Sequence, residues 1–556
     1  MSFGVPTKGV GIDSAKRHGV VPRPLGASKD SFSKGVLRHI WKKDTEMTRS
    51  VTLADTMMLA ALLALPSLAQ DTVATRRASR MISPEEIRRH VYVIADDSMR
   101  GRSTPSPGLE ATAQYVANEF RRAGLRPGGD NHTYFQRYKV DQVQILAEST
   151  AVWTTGTPSI RWTYGVDYVP HLFNDFKDWE ISGGAVLLIG PVGGRPAFDT
   201  TSVLGRVLII PLTAAGLGQN FGRIVNWHPA AVLRVQDVSD SALSQLAIEV
   251  ARPKVRIPGS GLARLPMIVV TDRAAQPLFM KASINLAELR RSPRDTVLRT
   301  IPLDDAVVHM KLRVKPLLHQ DPANVIAIRE GIDPGLRGQY IVYSAHMDHL
   351  GVGTSISGDS IYNGADDNAS GTAAVLATAK AFAHLTTPLR RSVMFVLFSG
   401  EEGLAAGSDF FLNHAPVPLP AIVADLNADM VGRNGRDSVI VVGRRDSDLG
   451  KVVDHTIAAF PDVWLTVTDG GTGRNDSYLY WWSDHAGFIK KGIPFLYFYT
   501  GLHSDYHRPS DSADKIDVDK LACIGRLMFY VGIELSNATT RPQWYTDRYE
   551  RLVAQH

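Results

Sequence analysis

Cysteine is almost absent. Cys523 is the one thiol in 556 residues, so no internal disulfide can carry the fold, and a disulfide-stapled scaffold is excluded. Long hydrophobic runs are missing too. The nine apolar residues Met57–Leu65 fall well short of the ~20 a membrane helix needs, and no other segment resembles a membrane span. Charge of one sign is in short supply as well. The net +5 and pI near 9.0 suggest a basic protein, but residues 1–69 alone hold ten bases and five acids. Removing those from the totals of 61 bases and 56 acids leaves 51 of each. The body of the chain is neutral, which argues against nucleic acid as a partner. What remains is ordinary globular composition, 44% hydrophobic and 21% charged, with length for two to four domains. Such a chain is neither disordered nor collagen-like.

The short apolar run has a meaningful setting. Arg49 precedes it and Ser67-Leu68-Ala69 follows, the order of a secretory signal with a basic start, an apolar middle and small residues at the cleavage site. Asp55 fits that middle poorly, and a buried helix at the start of a domain is the alternative. Read as a signal, residues 1–69 are an upstream extension plus signal peptide, with Met47 as a possible start. The mature chain then begins near Gln70 and is exported, to periplasm or medium, with no membrane span left. Cys523 lies in an apolar helical stretch and is expected to be buried.

Ser83-Pro84-Glu85-Glu86 carries a helix start, and a second helical pattern over about 109–123 stops at Gly124. From 140 to 315 short apolar runs such as Ala185–Ile189, Val207–Ile210, Ala230–Val235 and Met267–Val270 alternate with Gly/Pro turns, which predicts a β-rich module. Its histidines, His171 and His228, are isolated and receive no role. Beyond 316 the pattern becomes strand, loop, helix. Strands are expected at Asn324–Arg329, Gln339–Ala345, Ser392–Ser399, Ala421–Leu426 and Phe495–Tyr499, and helices at Ala369–His384 and Val518–Leu535. Near-continuous apolar strands between helices imply an α/β domain with a mainly parallel central sheet covered on both faces. The predicted division is 82–139 for an N-terminal part of that domain, 140–315 for an insert, and 316–540 for its main body.

Ligands of such sheets bind beyond the strands' carboxyl ends, and five polar clusters fall there. In His346-Met347-Asp348-His349, a His and an acid two apart lie on one side of an extended segment, so Asp348 can hold the His346 imidazole. Asp366 and Asp367, within Asn363–Gly371, precede a helix and could be ligands or caps. Glu401 and Glu402 follow a buried strand and repel each other unless a cation or proton intervenes. Asp429 ends another apolar strand, and His503–Asp511 follows the last. Together they offer histidines and carboxylates without thiolate, a donor set for two zinc-type ions, with Co2+ or Mn2+ as alternatives. An extra glutamate is then free to act as base. Asp484-His485 is expected to line the same cleft. Arg474, Asn475, Tyr478, Trp481 and Trp482, on a loop with Gly470, Gly471 and Gly473, could shape specificity.

The series HxD, GADDNASG, SGEEG, NADM, SDHxxF and DYHxPSD resembles the M28 family of co-catalytic zinc metallopeptidases. Residues 82–138, with Arg100-Gly101-Arg102, resemble the family's lead-in, and 140–315 resembles a protease-associated (PA) insert. The resemblance implies a zinc-exopeptidase fold in which His346, Asp366, Glu402, Asp429 and His507 bind two Zn2+ ions. Asp366 would bridge them, one ion also taking His346 and Asp429, the other Glu402 and His507. Glu401 would be the general base, Asp348 the partner of His346, and Tyr506 a donor to the oxyanion; a cis peptide is implied between Asp366 and Asp367. The implied activity is peptide hydrolysis, preferably as an aminopeptidase. Glutamate-carboxypeptidase-like and glutaminyl-cyclase-like enzymes, and a non-catalytic receptor-like ectodomain, are the alternatives.

Overall fold

The computed structural model describes residues 73–171, 177–190, 195–211, 221–256, 265–291, 297–403, 405–469 and 477–554. The expected signal segment, residues 1–69, and Gly470, Gly471, Gly473, Arg474 and Asn475 lie outside the described residues. Among the described residues no helix is long and apolar enough to cross a membrane.

The helix signalled at Ser83 begins where its sequence signal stands. Ser83 Oγ accepts the Glu86 amide at 3.2 Å, and Pro84 occupies the first turn of α1, Pro84–Ile94. The same grammar, Ser106 then Pro107, starts α2, Pro107–Arg122. Nine strands then build the main sheet: β1 (Arg126–Pro127), β2 (Phe135–Arg137), β3 (Ala323–Arg329), β4 (Tyr340–His346), β5 (Ser392–Phe398), β6 (Ile422–Ala428), β7 (Ser438–Val442), β8 (Thr466–Thr468) and β9 (Phe495–Tyr499). Their order is β1-β3-β5-β4-β6-β9-β7-β8, with β2 also on β3. The expected mainly parallel sheet is a mixed one. Its centre β5-β4-β6-β9 is parallel, as is β7-β8. The β1-β3, β2-β3, β3-β5 and β7-β9 pairs are antiparallel. Sequence runs could not reveal this, because a strand buried on both faces reads the same in either direction.

Double burial is visible residue by residue. Along β5, Val393, Phe395 and Leu397 enter one core while Met394, Val396 and Phe398 enter another. The first core packs under α1, α2, α3 (Gly371–His384) and α6 (Val518–Asn537); the second lies beneath α4 (Ala406–Asn413) and α5 (His485–Lys490). Cys523 is fully buried in α6.

The segment 140–315 builds a sheet and a core of its own. The chain leaves on Val140–Ile145 and returns on Val314–Gln320, which pair antiparallel as a stem. The β-rich expectation needs amendment. Strands Trp179–Ile189, Val207–Pro211, Ala231–Gln236 and Met267–Thr271 are parallel neighbours, and helices Asp240–Ala251 and Asp272–Lys281 accompany them. Parallel neighbours need crossovers, and their apolar runs look in sequence like those of any buried strand.

One glycine sets the spacing between α6 and the sheet. A Cβ on Gly532 would overlap the Tyr343 hydroxyl, which donates to Met528 O at 2.7 Å. Helix propensity favours alanine there by about 1 kcal/mol, but overpacking a buried site costs about 1–3 kcal/mol. Gly532→Ala should therefore lose stability in denaturant unfolding, and an unchanged or raised midpoint would contradict this packing.

Candidate metal centre

All four central parallel strands deliver their following residues to one place. His346 ends β4, Glu401 and Glu402 follow β5, Asp429 follows β6, and the loop to His507 follows β9. Gly371, at the start of α3, sits so close to Ala428 O that a Cβ would collide with it, which brings the preceding loop and Asp367 in from above.

The donors fall into two groups that share one carboxylate. His346 Nε2 lies 3.3 Å from Asp429 Oδ1 and 3.4 Å from Asp367 Oδ1. His507 Nε2 lies 3.2 Å from Asp367 Oδ2 and 3.4 Å from Glu402 Oε2. Zinc bonds of ~2.0–2.1 Å in a tetrahedron put neighbouring donors about 3.3–3.4 Å apart, so both sets have the spacing of ligands around an ion. His349 differs. Its Nδ1 is 2.7 Å from Glu402 Oε1, the length of a hydrogen bond, so it orients that carboxylate and leaves Oε2 for the His507 side.

The shared carboxylate corrects the sequence reading by one residue: Asp367, not Asp366, stands between the two groups. Asp366 Oδ1 accepts the Gly432 amide at 2.6 Å, and its Oδ2 faces His503 Nε2 at 3.2 Å, one layer behind. The amides of both residues donate to the buried Asp511 carboxylate, at 2.9 Å from Asp366 and 3.1 Å from Asp367, which fixes which carboxylate points forward. The cis peptide likewise lies between Asp367 and Asn368.

His346 Nδ1 is 3.3 Å from Asp348 O and 3.7 Å from that residue's carboxylate, so the backbone carbonyl is its nearer acceptor and Nε2 is left free toward Asp367 and Asp429. The Asp348 carboxylate instead accepts the Glu401 amide at 3.2 Å and the Thr104 hydroxyl at 3.0 Å. Glu401 Oε2 stays 3.9 Å from His346 Nε2, outside both donor groups. The Tyr506 ring stacks on His507 at 3.8 Å. Glu401, Glu402, Tyr506, His507, Trp481 and Trp482 line one cleft of about 710 Å³. Asp484 and His485 are fully buried behind it. Burial pushes the Asp484 carboxyl up to about 7 and the His485 imidazole down to about 3. His485 is wedged between Phe495 and Tyr497, a wall residue.

The electrostatics call for a cation. Among the described residues no Lys or Arg forms an ion pair with Asp367, Glu401, Glu402 or Asp429, although Asp367 and Asp429 are each only 4% exposed. Burial works against a charge on His507, yet Asp367 and Glu402 lift it to about 9. Burial, joined by Glu402, Asp484 and Asp429 and opposed by His346, raises Glu401 well above the carboxylate range. A second cluster shows the contrast. Glu86, His90 and Glu119 also converge, but Arg89 and Lys380 reach Glu86 and Arg89 and Arg122 reach Glu119, so that cluster is already neutralised.

Residues 324–532, which contain every donor above, match peptidase family M28. By that match, this stretch is similar to the peptidases of family M28. Aminopeptidase YwaD of Bacillus subtilis is 26% identical over 244 residues, 42% of this chain and 49% of its own length. A probable leucine aminopeptidase of Arthroderma benhamiae is 27% identical over 220 residues, 37% of this chain and 57% of its own. The chain thus spans about half the length of these curated relatives. In fold, it is similar to an aminopeptidase from Aneurinibacillus sp. strain AM-1, with a TM-score of 0.50 and 17% identity over 84% of this chain and 97% of that one. Sequence reasoning placed the M28 motifs but missed Asp367 as the shared donor, His349 and Asp511. The adjacent acids, the second His of HMDH and the Asp closing DYHxPSD were the signals.

Asp367 and Asp366 should respond differently to loss of charge. Asp367→Asn weakens both donor groups and should strip metal from the purified protein, measured by elemental analysis. Asp366→Asn should keep it and lose stability instead. The reverse ranking would contradict the geometry.

Proposed function

We propose that this chain is an exported exopeptidase that removes amino-terminal residues from peptides with two zinc ions. The observation that carries the reading is the pair of donor groups, His346–Asp367–Asp429 and Asp367–Glu402–His507, with Glu401 beside them, 3.9 Å from His346 Nε2. The names of the relatives favour the amino end as the point of attack. Bound in those groups, zinc supplies Lewis acidity toward the scissile carbonyl and lowers the pKa of the attacking water.

The chain's own residues do the rest. Glu401 accepts the water proton and returns it to the leaving amine, work worth about 10²–10⁴-fold. Burial, together with the Asp367 and Glu402 charges, keeps the Tyr506 phenol protonated, so it can donate to the developing oxyanion. Asp348 fixes the backbone of the base. Among the described residues, 140–315 contribute no donor to either group, and their role is to limit access or help seat the substrate.

Glu401→Gln should bind the parental amount of zinc yet lose at least about 10²-fold in kcat on an aminoacyl amide, because it removes a base and not a ligand. Retained turnover would refute the base, and parallel loss of zinc would make Glu401 a ligand. Export rests on the apolar run and the Ser67-Leu68-Ala69 site. Amino-terminal sequencing of secreted protein should start near Gln70; a mature chain that keeps Met57–Leu65 would contradict cleavage.

A further inference from the structure

Arg102 is fully buried, yet among the described residues no carboxylate forms an ion pair with it. Its guanidinium spends its donors on backbone carbonyls. Nε donates to Met347 O at 2.9 Å, Nη1 to Asn363 O at 2.6 Å and Ile94 O at 2.7 Å, and Nη2 to Gly364 O at 2.9 Å. Two of the segments it joins carry the donors of the metal centre. Met347 lies between His346 and Asp348, and Asn363-Gly364 leads directly into Asp366 and Asp367. The Arg102 carbonyl in turn accepts the His349 amide at 3.2 Å. The lead-in loop is held there tightly. Gly101 has φ +64°, and a Cβ on it would press on Gly351 O and Tyr362 O at 2.5 Å.

We propose that Arg102 is a positioning residue for the metal centre: its planar fork locks the His346 loop and the Asp367 loop in one register, and so sets the spacing of donors that are far apart in sequence. The inference rests on the two-metal reading above. Two features favour it over simple core packing. An arginine buried without an acid partner is costly, and here its charge faces the net negative field of Asp348, Asp367, Asp511 and Glu402. Its four bonds also demand a fork; a lysine is a compact charge with rotating donors and cannot reach four fixed carbonyls in a plane.

The structure supplies its own control. Arg391 is equally buried and also bonds backbone carbonyls, those of Leu535, Ala538 and Thr540, on a part of the fold that carries no donor. Zinc dissociation constants are measured by competition with a chromogenic chelator for the parent, Arg102→Lys and Arg391→Lys, along with kcat, KM and Tm. Arg102→Lys should weaken zinc about 10–100-fold, as expected for a group that orients ligands, and lower kcat at saturating zinc with KM changed less than about twofold. Arg391→Lys should lower Tm and leave zinc affinity within about twofold. Parental zinc affinity in folded Arg102→Lys would overturn the proposal. Arg102→Met, which keeps the bulk without donors, is the second variant, with the same expected loss. If neither folds while Arg391→Lys does, Arg102 is a structural residue and the proposal fails. A parent that binds no zinc contradicts the two-metal reading; a zinc-binding parent with an indifferent Arg102→Lys contradicts this inference alone.

Discussion

Asp367, Glu401, Glu402 and Asp429 meet at the ends of parallel strands, in a place where Asp367 and Asp429 see almost no water and, among the described residues, no lysine or arginine pairs with any of them. Like charges so arranged cannot all ionise without a cation, and their mutual field raises the His346 and His507 imidazoles against burial and the Glu401 carboxyl with it. The surrounding structure is organised to hold this unfavourable cluster in place. Asp511 takes the amides of Asp366 and Asp367, Asp348 takes the amide of Glu401, and Arg102 gathers the carbonyls that precede and follow the ligand loops. Holding the backbone at these points leaves the carboxylate oxygens themselves free for an ion.

The sheet explains why these groups can meet at all. Strands β5, β4, β6 and β9 run parallel, so four separate stretches of sequence reach the same edge with their next residues pointing into solvent or into one another. The apolar strands fix those ends through two cores, and the antiparallel outer strands complete the sheet without adding donors. The segment 140–315 hangs from a small three-stranded stem sheet, in which Lys254–Arg256 joins the outgoing and returning strands, and it has its own core, so it can vary in form without disturbing the strand ends.

Much of this was legible in sequence. The helix start at Ser83-Pro84, the strand ends and the clusters behind them were where the patterns placed them, because burial on both faces leaves continuous apolar runs and ligands follow them directly. What failed was subtler. Asp366 and Asp367 have the same chemistry and sit side by side, and Asp511, remote in sequence, decides which one stands between the two donor groups. His349 looked like a bystander because its partner, Glu402, is about fifty residues away. Arg102 was recognisable as part of a motif, but its partners are backbone carbonyls, which leave no mark on the sequence. The direction of the outer strands and the helices within 140–315 were hidden for the same reason: pairing partners are not written in a run of Val and Ile.

The most direct test is anomalous X-ray scattering at the zinc edge from crystals of the chain grown with zinc. Two peaks are expected, one bounded by His346, Asp367 and Asp429 and the other by Asp367, Glu402 and His507, with Asp367 touching both. A single peak, or one ligated by Asp366 or by His349 in place of His507, would contradict the shared-carboxylate centre on which the account rests.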